Sequence, residues 1–125
     1  MNTHHRLAVA LLAGVAIGAA GIESIRAQSK PPGYIVFEFE VTDPAGFKSY
    51  GEAARALPPS GGTFIVQRSK GVALSGEPPK LITVIKFPSV DDAVAFDASP
   101  GYVALKALRE KSTKGRWYAV EGLPN

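Results

Sequence analysis

The side chains able to carry chemistry in this sequence are few in kind, and the absent ones narrow the field most. Both histidines, His4 and His5, precede an apolar run near the N-terminus, and the chain has no cysteine. Beyond that run there is neither imidazole nor thiol. This excludes Ser-His-Asp and Cys-His nucleophile arrangements, zinc sites built on nitrogen and sulfur ligands, haem held by His or Cys, and disulfides. Carboxylates, lysine, arginine and tyrosine remain, a set that calls for no metal and no bound cofactor.

Five residues from that set are pocket candidates: Tyr50, Arg68, Lys86, Tyr102 and Arg109. Arg68 and Lys86 alternate onto one face of two predicted strands, where they could hold an anionic ligand or pair with Glu38 or Glu40 across strands. Tyr50 and Tyr102 fall on predicted helices, rings packed and hydroxyls reaching outward, a disposition open to proton transfer. Arg109 would either bridge helix and strand or bind substrate. Asp91 and Asp92 are adjacent acids, but a place in the first turn of a helix accounts for them without a metal. Gly61 and Gly62 follow no strand and open no helix, so a phosphate-binding loop is excluded.

The elements that must position these residues are read from periodicity. Leu81 to Phe87 is apolar and β-branched almost throughout, as a strand covered on both faces would be, and Pro88 ends it. Ser89 with Asp92 forms a capping box for a helix. Ser99 and Pro100 repeat the start signal, so a second helical piece begins at about Gly101. Upstream, Tyr34 to Val41 alternates, with Ile35, Phe37, Phe39 and Val41 on one face and Tyr34, Val36, Glu38 and Glu40 on the other. Asp43 and Pro44 open a helix to about Leu57, striped by Phe47, Tyr50, Ala54 and Leu57, and Pro58 and Pro59 stop it. Thr63 to Arg68 is a short strand and Ser69 to Lys80 a loop. Lys111 to Gly115 closes the last helix, and Arg116 to Glu121 is the final strand.

The order β-α-β-β-α-β is the ferredoxin-like arrangement, an α+β fold whose first and third strands lie at the centre of a four-stranded antiparallel sheet. Two helices can cover only one face of that sheet. The face left over carries Tyr34, Val36, Val66, Ile82, Val84 and Tyr118, together with Phe64, Glu38, Arg68 and Lys86, and is too apolar to leave in water. A second copy packed sheet to sheet would cover it and enclose a space with polar groups inside, the usual form of a small-molecule site.

Residues 1–27 stand apart from this domain. Arg6 precedes an uncharged apolar run from Leu7 to Ile22, and Ala27 offers a small residue for cleavage, the three-part pattern of a secretory signal peptide. The run is shorter than the roughly 20 residues that span a bilayer. Residues 28–33 read as a flexible tether and 34–122 as the folded domain. Removing the signal takes Arg6, Glu23 and Arg26 with it, so the net charge falls from +3 to +2. So small an excess gives no electrostatic case for nucleic acid, and no membrane partner is expected once the signal is gone. The expected location is periplasmic or secreted.

The strings VTDPAGFKSYGEAARAL, GGTFIVQR and LITVIKFPSVDDAVAFDASPGYVALKALR resemble the family known as domain of unknown function 1330. The resemblance runs from about Tyr34 to Glu121. It rests on Asp43-Pro44 with Tyr50, on Gly61-Gly62 before a strand ending in Arg68, on Phe87-Pro88-Ser89, and on Ser99-Pro100 followed by Tyr102 and Arg109. It implies a homodimeric α/β barrel without a settled reaction. The chain departs from the family pattern at Arg68-Ser69-Lys70, where relatives usually have Arg-Gly-Gly. It departs again at Phe96-Asp97, in place of Trp-Tyr, and at Gly101, in place of Glu.

The expected function is the handling of a small molecule in a pocket between sheet and dimer partner. A non-catalytic periplasmic binding or stress-related module is the alternative. An enzyme of this kind would be metal-free and cofactor-independent, similar by fold analogy to the dimeric-barrel monooxygenases and isomerases.

Overall fold

The computed structural model describes residues 30–58 and 60–125; the expected signal peptide, 1–27, and the first residues of the tether lie outside the described residues. The elements are β1 (Gly33–Val41), α1 (Pro44–Arg55), β2 (Thr63–Ser69), β3 (Leu81–Phe87), α2 (Val90–Asp97), α3 (Pro100–Ser112) and β4 (Thr113–Glu121). The four strands form one antiparallel sheet in the order β2-β3-β1-β4, with the first and third strands central. This is the ferredoxin-like α+β fold. Pro32 and Gly33, expected in the tether, are built into it. The Pro32 carbonyl accepts from the Gly122 amide at 2.7 Å, and a Cβ on Gly33 would lie 2.3 Å from the Val90 nitrogen.

Each helix starts where its capping residues dictate. Asp43 accepts from the Gly46 amide at 3.2 Å with Pro44 in the first turn of α1. Ser89 accepts from the Asp92 amide at 3.1 Å and donates its hydroxyl to the Asp92 carboxylate at 2.9 Å. Ser99 accepts from the Tyr102 amide at 3.4 Å. Caps of this kind satisfy amides that the first helical turn leaves without partners.

The end of α3 differs from expectation. No closing segment runs to Gly115, because the hydroxyls of Ser112 and Thr113 turn back onto the Leu108 and Arg109 carbonyls, each at 2.7 Å. These bonds satisfy the last helical acceptors without a glycine. β4 therefore begins at Thr113, opposite Val41, and Gly115 sits inside the strand opposite Phe39.

The helices cover one face. Ile35, Phe87 and Ala93 form its buried centre, with Ile85, Phe96, Trp117 and Ala119 packed against them. On the open face the registers line up three rows across the sheet. The middle row, Val66, Val84, Val36 and Tyr118, is apolar on all four strands. Thr63, Lys86, Tyr34 and Val120 flank it on one side, and Ser69, Ile82, Glu38 and Arg116 on the other.

Strict alternation fails in β2. The pairing with β3 shifts between Phe64 and Val66 and again between Val66 and Ser69. Each shift inserts an extra residue, as a β-bulge does. Arg68 takes up the second with φ 47°, the left-handed region, and its amide donates to the Thr83 hydroxyl at 2.9 Å. Val66 stays on the open face as expected. Phe64 and Arg68, expected beside it, are instead carried to the helix-covered side.

Candidate functional site

A cleft of about 150 Å³ lies between α1 and the helix-covered face of the sheet. It lies on the other side of the sheet from the open face, where the pocket shared with a partner is expected. One wall is aromatic by strand and helix spacing. Phe37 and Phe39, two apart on β1, stack at 4.0 Å, Phe39 meets Phe47 at 5.5 Å, and Phe47 stacks on Tyr50 at 5.9 Å. Thr83 and Ile85 of β3 and Trp117 of β4 continue the lining, and Arg55, Phe64, Gln67 and Arg68 stand exposed around it.

Behind this cleft three of the five candidates form a single hydrogen-bonded chain. Arg109 Nη1 donates to the Tyr102 hydroxyl at 2.6 Å, and that oxygen lies 2.6 Å from the Tyr50 hydroxyl. Tyr102 is 1% exposed and already accepts from Arg109, so its own proton goes to Tyr50. The Tyr50 proton is then left for the cleft, which Tyr50 lines.

Sequence reading expected both hydroxyls to reach outward. They are buried because each finds a partner inside, which offsets the cost of removing a polar group from water. Burial, the largest effect, raises the Tyr50 hydroxyl above the usual tyrosine range, and the lowering from Tyr102 and Arg109 does not cancel it. Burial and the neighbouring Tyr50 hold Tyr102 far above that range against the nearby guanidinium. Both hydroxyls therefore work as neutral donors at ordinary pH.

Arg109 itself is 7% exposed, in the last turn of α3. Its charge is met by rings, by dipoles and, at 4.0 Å, by the exposed Glu110 carboxylate. The guanidinium carbon sits 4.2 Å from the Trp117 ring centroid, and the Tyr102 ring stacks on the same indole at 5.2 Å. A desolvated cation–π contact is worth about 2 kcal/mol, and helix C-terminal carbonyls favour a cation. The helix-to-strand bridge expected of Arg109 is thus made through Trp117. The indole is fixed in turn by donating to Asp97 at 2.9 Å, whose other oxygen accepts from Lys106 at 2.8 Å.

The remaining two candidates separate. Arg68 joins the cleft, its guanidinium carbon 6.0 Å from the Phe47 ring centroid. Lys86 stays on the open face opposite Tyr34 and Thr63. The cross-strand pairs expected with Glu38 or Glu40 do not form, since Glu38 stands opposite Ile82, four residues from Lys86 along β3. Arg116, directly opposite Glu38 on β4, approaches its carboxylate at 2.8 Å as an ion pair outside hydrogen-bond angles. Sequence reasoning missed Thr83 and Trp117 as site residues. The signal for Thr83 was its hydroxyl, the one neutral polar group in the apolar run Leu81–Phe87.

A sequence family described as a domain of unknown function (DUF1330) matches residues 32–123. Two solved structures of RPA0582, a protein of unknown function from Rhodopseudomonas palustris, are similar in fold. One aligns with 83% of this chain and 92% of its own at 19% identity and a TM-score of 0.56. The other, of the methylated protein, aligns with 83% and 90% at 18% identity and 0.55. A dimeric protein of unknown function and ferredoxin-like fold from Bacteroides fragilis aligns with 73% of this chain and 95% of its own at 18% identity and 0.47. No curated protein matches the chain.

Proposed function

The chain belongs to the family of domain of unknown function 1330, and within that family we propose that this member binds a small, largely apolar, ring-sized molecule in the cleft between α1 and the sheet. The observation that carries this reading is the chain from Arg109 through Tyr102 to Tyr50, which delivers one oriented donor to an aromatic cavity. A space of about 150 Å³ matches a benzene-sized guest, and an apolar pocket with few polar groups is the common form of a ligand site. Holding a ligand is favoured over drawing a proton from carbon. The polar lining, Tyr50, Arg55, Gln67, Arg68 and Thr83, contains no carboxylate to serve as base.

In the proposed assembly two copies pack through the open face. Support comes from its apolar middle row flanked by rows carrying charge, the core-and-rim composition of an interface. A two-fold axis through that row would bring Lys86 of one copy toward the Glu38 row of the other, a self-complementary arrangement. The protein is exported to the periplasm or beyond after removal of residues 1–27; the support is the order of Arg6, the apolar run and Ala27.

The test of the cleft uses Trp117, the chain's single tryptophan, whose indole N–H gives one NMR resonance. Benzamide, a neutral ring-sized probe, is expected to shift that resonance saturably. Tyr50→Phe should weaken the probe by roughly tenfold, the effect of one lost hydrogen bond. A resonance that no ring-sized probe moves overturns the reading.

A further inference from the structure

Resting on that reading of the cleft, we propose that the ligand is a planar aromatic carboxylate and that Arg68 is the residue that selects its anion.

The charges around the cleft point one way. Two of its lining residues are cationic, Arg55 and Arg68, and none is acidic. Arg55 is turned back on its own helix, donating through Nε to the Gly51 carbonyl at 3.2 Å. Among the described residues no carboxylate forms an ion pair with Arg68, whose guanidinium leans over the Phe47 ring.

The backbone at Arg68 is the second observation. A non-glycine residue with φ 47° sits in a left-handed conformation that most side chains avoid. It is held there by the bond from its amide to Thr83, itself part of the cleft wall. Without the second bulge, alternation from Val66 would place Arg68 on the open face, remote from Tyr50. Strained backbone of this kind persists where the surrounding structure enforces it and the side-chain position is used. Here it brings a guanidinium, a planar fork suited to carboxylate, to the same cleft as the Tyr50 donor. The slot between the aromatic wall and Ile85 takes the flat ring, and the two donors take the carboxylate.

The experiment compares benzoate with benzamide, its neutral counterpart of nearly equal shape, by titration of the Trp117 indole resonance. Benzoate is expected to bind about tenfold tighter or better, as charge-assisted hydrogen bonds imply. Arg68→Met should abolish that preference, read as the ratio of benzoate to benzamide affinity within the same variant. Arg68→Gly, which suits the left-handed backbone and keeps the bulge, should do the same and guards against a folding defect in the first variant. Equal binding of the two probes, or a preference that survives both substitutions, overturns the inference and leaves the cleft reading standing. A preference lost on Arg55→Met instead overturns the assignment to Arg68. If neither probe moves the resonance, the cleft reading falls and this inference with it.

Discussion

Tyr102 is the residue on which the buried polar chain turns, because it accepts from Arg109 and donates to Tyr50. Tyr102→Phe removes the hydroxyl that both neighbours share and should cost about 1 to 3 kcal/mol, measured by urea denaturation. The same residue sets an alkaline limit. Tyr102 and Tyr50 have hydroxyls raised above the ordinary value near 10 by burial. A group raised in the folded state contributes stability that is fully present below the unfolded pKa and is lost as pH rises toward the folded one. Unfolding free energy should therefore be insensitive to these two groups up to about pH 9 and fall above about pH 10, less steeply in Tyr102→Phe. A profile that stays flat to pH 12, or one identical in the variant, would show that the hydroxyls are not held this way. Tyr50, Tyr102 and Arg109 were legible as site candidates from residue type and helical spacing. Their mutual bonding was not, since positions 50 and 109 are brought together only by the packing of α1 on α3. The pairing expected of Lys86 with Glu38 or Glu40 fails for a related reason: its distance from Glu38 depends on the β1–β3 register, which no single residue announces.

At the scale of elements, the caps and periods did most of the specifying. Asp43, Ser89 and Ser99 each sit where their helix starts, and alternation in β1 predicts which side chains are buried. β2 defeated the same reasoning because a bulge adds a residue without changing composition, and an arginine in the left-handed region carries no signature. Gly115 shows what a local pattern cannot reveal. It was expected to close a helix, yet it lies within β4, where a Cβ would come within 1.9 Å of the Glu38 carbonyl oxygen. Gly115→Ala must push β4 away from β1 and should lower stability by about 2 to 3 kcal/mol, the upper range for overpacking. Thermal unfolding would check this. An unchanged midpoint would mean that the β1–β4 pair yields at that point without loss.

For the whole molecule, the sheet order and the helix-covered face follow from element order and chain handedness, which is why the fold could be read before any contact was known. The cleft could not, because a bulge on each side of Val66 sets Phe64 and Arg68 on the face opposite to it. Val84, opposite both Val36 and Val66 at the middle of the open face, is the natural probe of assembly. Val84→Glu places like charges together at the centre of the proposed interface and should raise the dimer dissociation constant at least about a hundredfold. Sedimentation equilibrium reads this, with far-ultraviolet dichroism unchanged; an unsubstituted chain that sediments as a monomer would discard the assembly. Trp117 and Tyr118 are neighbours on β4, one lining the cleft and the other on the open face. The proposed ligand site and the proposed interface between copies are thus separated by the thickness of a single strand. Whatever factor a guest adds to the affinity between copies, pairing adds to the affinity for the guest, since coupling of this kind is reciprocal. Titrations at high and low protein concentration would then give different binding constants for one and the same cleft.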